Sequence, residues 1–147
     1  MEILTEAFQQ LASISAVLGG LSFTGAAAIL NAGAASDDPA VLGRPAKVTA
    51  GTAMAGAVCF VAAAVMWTFM AADLNRAAFA NASFPEYVEN VNWIPSLGLL
   101  MGTLLLLISI GVSGRIASRR LGRVTSVVAT LGGLALFAVF MWFAEVG

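Results

Sequence analysis

Hydrophobic residues in this chain come in long unbroken runs rather than in alternation. Four segments are almost wholly apolar: about Leu11–Ala34, Val48–Ala72, Trp93–Gly114 and Val124–Ala144. About 20 such residues in a helix are enough to cross the hydrocarbon core of a bilayer. None of the four contains Asp, Glu, Lys or Arg. A charge at the centre of a spanning helix costs about 2.5–3.5 kcal/mol on insertion scales, so the placement of every charge outside the runs is what a membrane demands. The two-residue alternation of a transmembrane β-barrel is missing. The pattern predicts an all-α integral membrane protein, a four-transmembrane-helix bundle forming one membrane domain over residues 1–147.

Composition excludes the main alternative. Apolar residues make up 60% of the chain and charged residues 10%, whereas soluble domains carry about 45–50% and about 25%. So few charges could not cover a water-facing surface. The first run is expected to be a retained span rather than a cleaved signal. Ala32, Gly33 and Ala34 could pass for a cleavage site, but Glu2 and Glu6 precede the run with no Lys or Arg, and a secretory signal needs a positive n-region.

The segments between the runs carry turn and charge signals. Ser36, Asp37, Asp38, Pro39, Gly43 and Pro45 mark the first loop, about Ala35–Lys47, as a connector. The second, about Asp73–Asn92, is the longest. Leu74–Phe84 is expected to form a short helix on the membrane surface with Phe79 and Phe84 dipping into lipid. Pro85 would stop it, and Pro95 suits the first turn of the third span. Asp73 and Arg76, three residues apart, should pair. Asn81-Ala82-Ser83 matches a glycosylation sequon, which has meaning only in a eukaryotic secretory pathway. The third loop, about ten residues, makes the last two spans antiparallel neighbours.

Basic residues set the orientation. Of the seven, only Arg76 lies in the second loop. Arg44 and Lys47 lie in the first loop, and Arg115, Arg119, Arg120 and Arg123 in the third. The positive-inside rule puts loops one and three in the cytoplasm and both termini, with loop two, on the outer side of a plasma or inner membrane. Trp67, Trp93, Trp142 and Tyr87 all fall near that outer boundary, where amphipathic rings prefer to sit. The arginine cluster is expected to fix orientation and to meet anionic lipid headgroups.

Candidate chemistry is thin. The chain has no histidine, one cysteine and a formal net charge of -1. It therefore lacks the commonest metal and haem ligand, a dithiol pair and a basic field for nucleic acid. No glycine-rich phosphate loop occurs. With no base at membrane depth to activate Ser, Thr or Cys59, no enzymatic role and no cofactor is expected.

The spans do carry patterned faces. In the first, Gln10, Ser13, Val17, Gly20, Thr24, Ala27 and Asn31 follow alternating steps of three and four, which holds one helix face. Glu6 and Gln9 sit above it at the outer mouth. This stripe is either a packing seam, where small residues let helices approach, or the lining of a water-filled path around which several copies assemble. In the second span Thr49, Thr52, Gly56, Cys59, Ala63, Met66 and Met70 share a face that reads as packing. Gly98 and Gly102 form a GxxxG motif, and Gly133 shares a face with Ser126 and Thr130. Phe137, Phe140 and Trp142 read as lipid-facing or interfacial. The sequence thus points to a small homo-oligomeric channel or passive transport protein, with Glu6, Gln10, Ser13, Gly20, Thr24 and Asn31 along the path and a preference for cations. The alternative is a non-catalytic accessory or scaffold subunit of a larger membrane complex.

Overall fold

The computed structural model describes residues 2–34 and 43–146, without the side chains of 33–34, 117, 119, 137 and 139–146. All regular structure among them is helical. Helix α1 spans Glu2–Ala34, α2 Arg44–Phe79, α3 Glu86–Val91, α4 Trp93–Ala117 and α5 Arg119–Val146. Within the described residues, three segments are long and apolar enough to cross a membrane: Glu2–Ala32, Arg44–Phe79 and Glu86–Ile116. Helix α5 adds a fourth long apolar helix. Most of loop one and the rings of Phe137, Phe140 and Trp142 lie outside what is described.

Each helix outruns its apolar stretch, and the connections are shorter than the pattern predicts. Loop two does not hold a separate surface helix over Leu74–Phe84. Helix α2 runs on to Phe79, because Ala71–Phe79 contains no proline or glycine and Leu74 is fully buried. Phe79 is almost fully exposed. The helix then stops in a Schellman turn: Ala82 N–H donates to the Ala77 carbonyl (2.9 Å) and Asn81 N–H to that of Ala78 (3.3 Å). Asn81 takes the left-handed conformation this requires, with φ 48°. Asn92 alone separates α3 from α4. Pro95 enforces that break, since its ring would clash with the carbonyl four residues back in a continuous helix. Loop three is a single residue, not ten. Ser118 accepts from Leu121 N–H on its Oγ (3.1 Å) and from Gly122 N–H on its carbonyl (3.0 Å), capping α5 as α4 ends.

The chain resolves into two compact units. The first comprises Met1–Phe23 and Ala55–Gly102. Its core gathers Phe8 and Ala12 of α1, Ala63, Trp67, Met70, Ala71 and Leu74 of α2, and Val88 of α3. Helix α2 is central, and glycine lets its neighbours approach. A Cβ on Gly19 of α1 would stand 3.3 Å from Phe60 Cβ. One on Gly98 of α4 would stand 3.3 Å from Ala63 Cβ and 3.4 Å from the Cys59 carbonyl. One on Gly102 would be 2.9 Å from two atoms of the buried Phe60 ring. Trp67 is a correction to the interfacial reading: it is 1% exposed, and its Nε1–H donates to Asn92 Oδ1 at 3.3 Å. Its polar tip is met by protein rather than by headgroups. Trp93, 61% exposed, and Tyr87 do lie at the surface.

The second unit comprises Thr24–Met54 and Thr103–Gly147. Here hydroxyls bridge helices. Ser109 Oγ of α4 donates to the Thr49 carbonyl of α2 (3.0 Å), and both residues are buried. Thr125 and Ser126 of α5 both donate to the Gly111 carbonyl, at 3.1 and 3.0 Å. Interhelical hydrogen bonds of this kind average about 0.6 kcal/mol in a bilayer, reaching about 1.7. Ser109→Ala should therefore cost about 1 kcal/mol, read as the shift in a reversible unfolding curve in mixed micelles. A loss above about 3 kcal/mol would mean that the hydroxyl holds more than this one bond.

Candidate functional site

Helix α1 divides into two faces. Thr5, Phe8, Ala12, Ser15, Gly19, Ser22 and Ala26 are all buried. They follow the same three-and-four spacing as the polar stripe, rotated by two residues. Gln10, Ser13, Gly20, Thr24 and Asn31 are exposed, as are Val17 and Glu6, and Ala27 is half-buried. The stripe is therefore not the seam by which α1 packs on its own subunit. Small side chains decide which face turns inward, because attraction between helices in lipid comes from close approach. The buried face is smaller than the polar one in this central stretch: Ala12, Ser15, Gly19 and Ser22 against Ser13, Val17, Gly20 and Thr24.

The hydroxyls are handled differently on the two faces. Ser13 Oγ donates to its own helix at the Gln9 carbonyl (2.9 Å). The Ser15 and Ser22 hydroxyls are buried without a hydrogen-bond partner among the described residues. Beside the stripe, in the first unit, an open groove of about 780 Å³ runs between α1 and α2. Gln9, Ser13, Thr68 and Asn75 supply its polar groups, and Ala16 and Phe69 are among its apolar ones. At the surface nearby, Arg76 pairs with Asp73 at 3.2 Å, as the spacing predicts, and the Tyr87 hydroxyl donates to the same carboxylate.

The glycines differ in what they do. Gly98 and Gly102 meet α2 closely, and Gly56 is buried. Gly133 has only an ordinary contact, Leu107 Cδ1 at 3.6 Å from its would-be Cβ. The tight glycines of the second unit are Gly111, Gly114 and Gly122, which the sequence reading passed over. A Cβ on Gly114 would run into Thr125 Oγ1 and stand 2.9 Å from the Leu121 carbonyl. One on Gly122 would run into Arg115 Cγ and stand 3.1 Å from that residue's Cα and N. The signal was present as small residues three or four apart, Gly111–Gly114 and Gly122–Ser126–Ala129. Only Gly122 falls in the arginine-rich stretch expected to be loop three; Gly111 and Gly114 fall in the expected third span, and Ser126 and Ala129 in the fourth.

The same unit carries a basic end. Arg44 and Lys47 lie in the first turn of α2, Arg115 in the last turn of α4, and Arg120 and Arg123 at the start of α5, all exposed. The Arg119 side chain is outside the described set. No acid occupies the first turn of α2 or α5, so cations stand where the helix dipole is already positive. Cys59 is a free, half-buried thiol, and no group of metal-ligating side chains occurs among the described residues.

These features define an all-helical membrane protein with a polar face turned outward on its first helix and a basic end on its second unit. Its kinship is silent on more: no family profile, no curated protein and no solved structure is significantly similar to the chain.

Proposed function

We propose that the chain assembles with copies of itself into a small membrane channel or passive transport protein, with the α1 polar stripe lining the path. The observation that carries this reading is the outward exposure of Gln10, Ser13, Gly20, Thr24 and Asn31 opposite a fully buried face. Amides turned toward hydrocarbon are costly, and water in a path between subunits removes that cost. Glu6 at the mouth favours cations. The charge distribution favours cytoplasmic basic connections, with both termini outside, in a plasma or inner membrane. The lack of carboxylates within the spans speaks against proton coupling.

A second reading is supported by the Ser13 hydroxyl, which already bonds to its own helix. A face so satisfied can also pack dry against another protein, as in an accessory or scaffold subunit. Native mass in nanodiscs separates the two. The channel requires a defined multimer of this chain alone. It also requires Ser13→Leu and Thr24→Leu to remove most cation flux from liposomes. Single cysteines at 13 and 24, in a Cys59→Ala background, should react with water-soluble thiol reagents. A monomer, or fixed co-purification with other proteins, would replace the channel by the accessory subunit.

A further inference from the structure

We infer that the cleft flanked by Arg44 and Arg115 in the second unit is a binding site for the phosphate of an anionic phospholipid. The cleft holds about 300 Å³ and is lined by Arg44, Pro45, Val48, Val112 and Arg115. Two arginines from different helices line it together with an apolar wall. That is the complement of a lipid phosphate with the start of its acyl chain below. Arginine suits phosphate because its planar fork donates two parallel hydrogen bonds to two oxygens. Val48 and Val112 offer the chain the same apolar contact it has in the bilayer.

Two further observations bear on this cleft. Lys47, Arg120 and Arg123 add to the same positive field. The Arg115 stem packs over Gly122 so closely that no side chain fits there, which ties this side of the cleft to the α4–α5 contact. The basic residues of this end thus do more than set orientation: two of them frame a site, and the others supply its field. The inference holds whether or not the protein conducts.

Native mass spectrometry of the full chain in neutral detergent tests it, with phosphatidylglycerol and phosphatidylcholine of identical chains as probes. The wild type should retain phosphatidylglycerol over phosphatidylcholine. Arg44→Gln with Arg115→Gln should weaken that retention about thirtyfold, from roughly 1 kcal/mol per cation at a membrane surface. The matched Arg→Lys pair should recover part of it, and Arg120→Gln with Arg123→Gln should cost much less. Val112→Trp, which fills the cleft but keeps every charge, should also lower retention and carries the test alone if the double variant does not fold. Equal retention of both lipids would overturn the site. So would equal losses from the two arginine pairs, which would mean a diffuse field. Displacement of the lipid by inorganic phosphate at the same concentration would overturn the acyl-chain contact.

Discussion

Alanine in place of Trp67 is expected to be the most damaging single truncation in the first unit. Among the described residues Trp67 is the largest fully buried side chain, and it sits among Phe8, Ala63, Met70, Leu74 and Val88. Cavity-forming Trp→Ala changes in soluble cores cost about 3–5 kcal/mol. Part of that cost is the preference of the ring for protein over water. In a bilayer the unpacked ring meets lipid instead, so this part shrinks and the loss of close packing remains. The expected loss is about 3 kcal/mol, at the low end of the range. Trp67→Phe keeps most of the ring and removes the bond to Asn92, so it should cost about 1 kcal/mol. A double-mutant cycle with Asn92→Ala isolates that bond. Trp93→Ala, at a surface ring, should stay within about 0.5 kcal/mol of wild type. Unfolding followed by far-UV circular dichroism in mixed micelles reads every variant. Equal losses at Trp67 and Trp93 would remove Trp67 from the core.

Trp67 also shows where the sequence is legible and where it is not. The four apolar runs announce four long helices, since only helices and closed barrels satisfy the backbone in lipid and the alternation of a barrel is missing. They locate them well but set their ends too early. The hydropathy pattern marks where lipid contact stops, whereas a helix stops only where a proline, a left-handed residue or a cap ends it. Asn81, Pro95 and Ser118 are those stops, each a single residue. Hydropathy says equally little about which side of a helix turns inward, because both faces of a spanning helix are apolar. The polar stripe of α1 stood out by chemistry, yet the buried face is the one selected by size. Trp67 was placed by its depth in the chain, while the partner of its Nε1–H is Asn92, twenty-five positions away, which no periodicity links to it. The basic residues were visible one by one. That Arg44 and Arg115 share a cleft follows only from the pairing of α2 with α4 in the second unit.

Gly122→Val should open the α4–α5 hairpin, at a cost of about 3 kcal/mol, the upper end for an overpacked site. On helix propensity alone the sign would be reversed, because valine in a helix interior is a few tenths of a kcal/mol, roughly, better than glycine. Contact geometry decides against that gain. The new Cβ would meet Arg115 Cγ and stand 3.1 Å from the Arg115 Cα and N. A flexible stem can yield, but the α4 backbone cannot without separating the helices. Separation stretches the bonds from Thr125 and Ser126 to the Gly111 carbonyl as well. Gly132→Ala is the counterpart. Its Cβ would find only Leu107 Cδ2, at an ordinary 3.7 Å, so the propensity gain stands and the protein should become more stable by up to about 1 kcal/mol. Opposite signs for two glycines of one helix are what close approach predicts and what composition alone cannot produce. If both changes stabilise, α4 and α5 do not touch at Gly122. If Gly122→Val destabilises, it should also loosen the Arg115 stem and lower phosphatidylglycerol retention without removing a single charge. That coupling is absent if the arginines act only through their field.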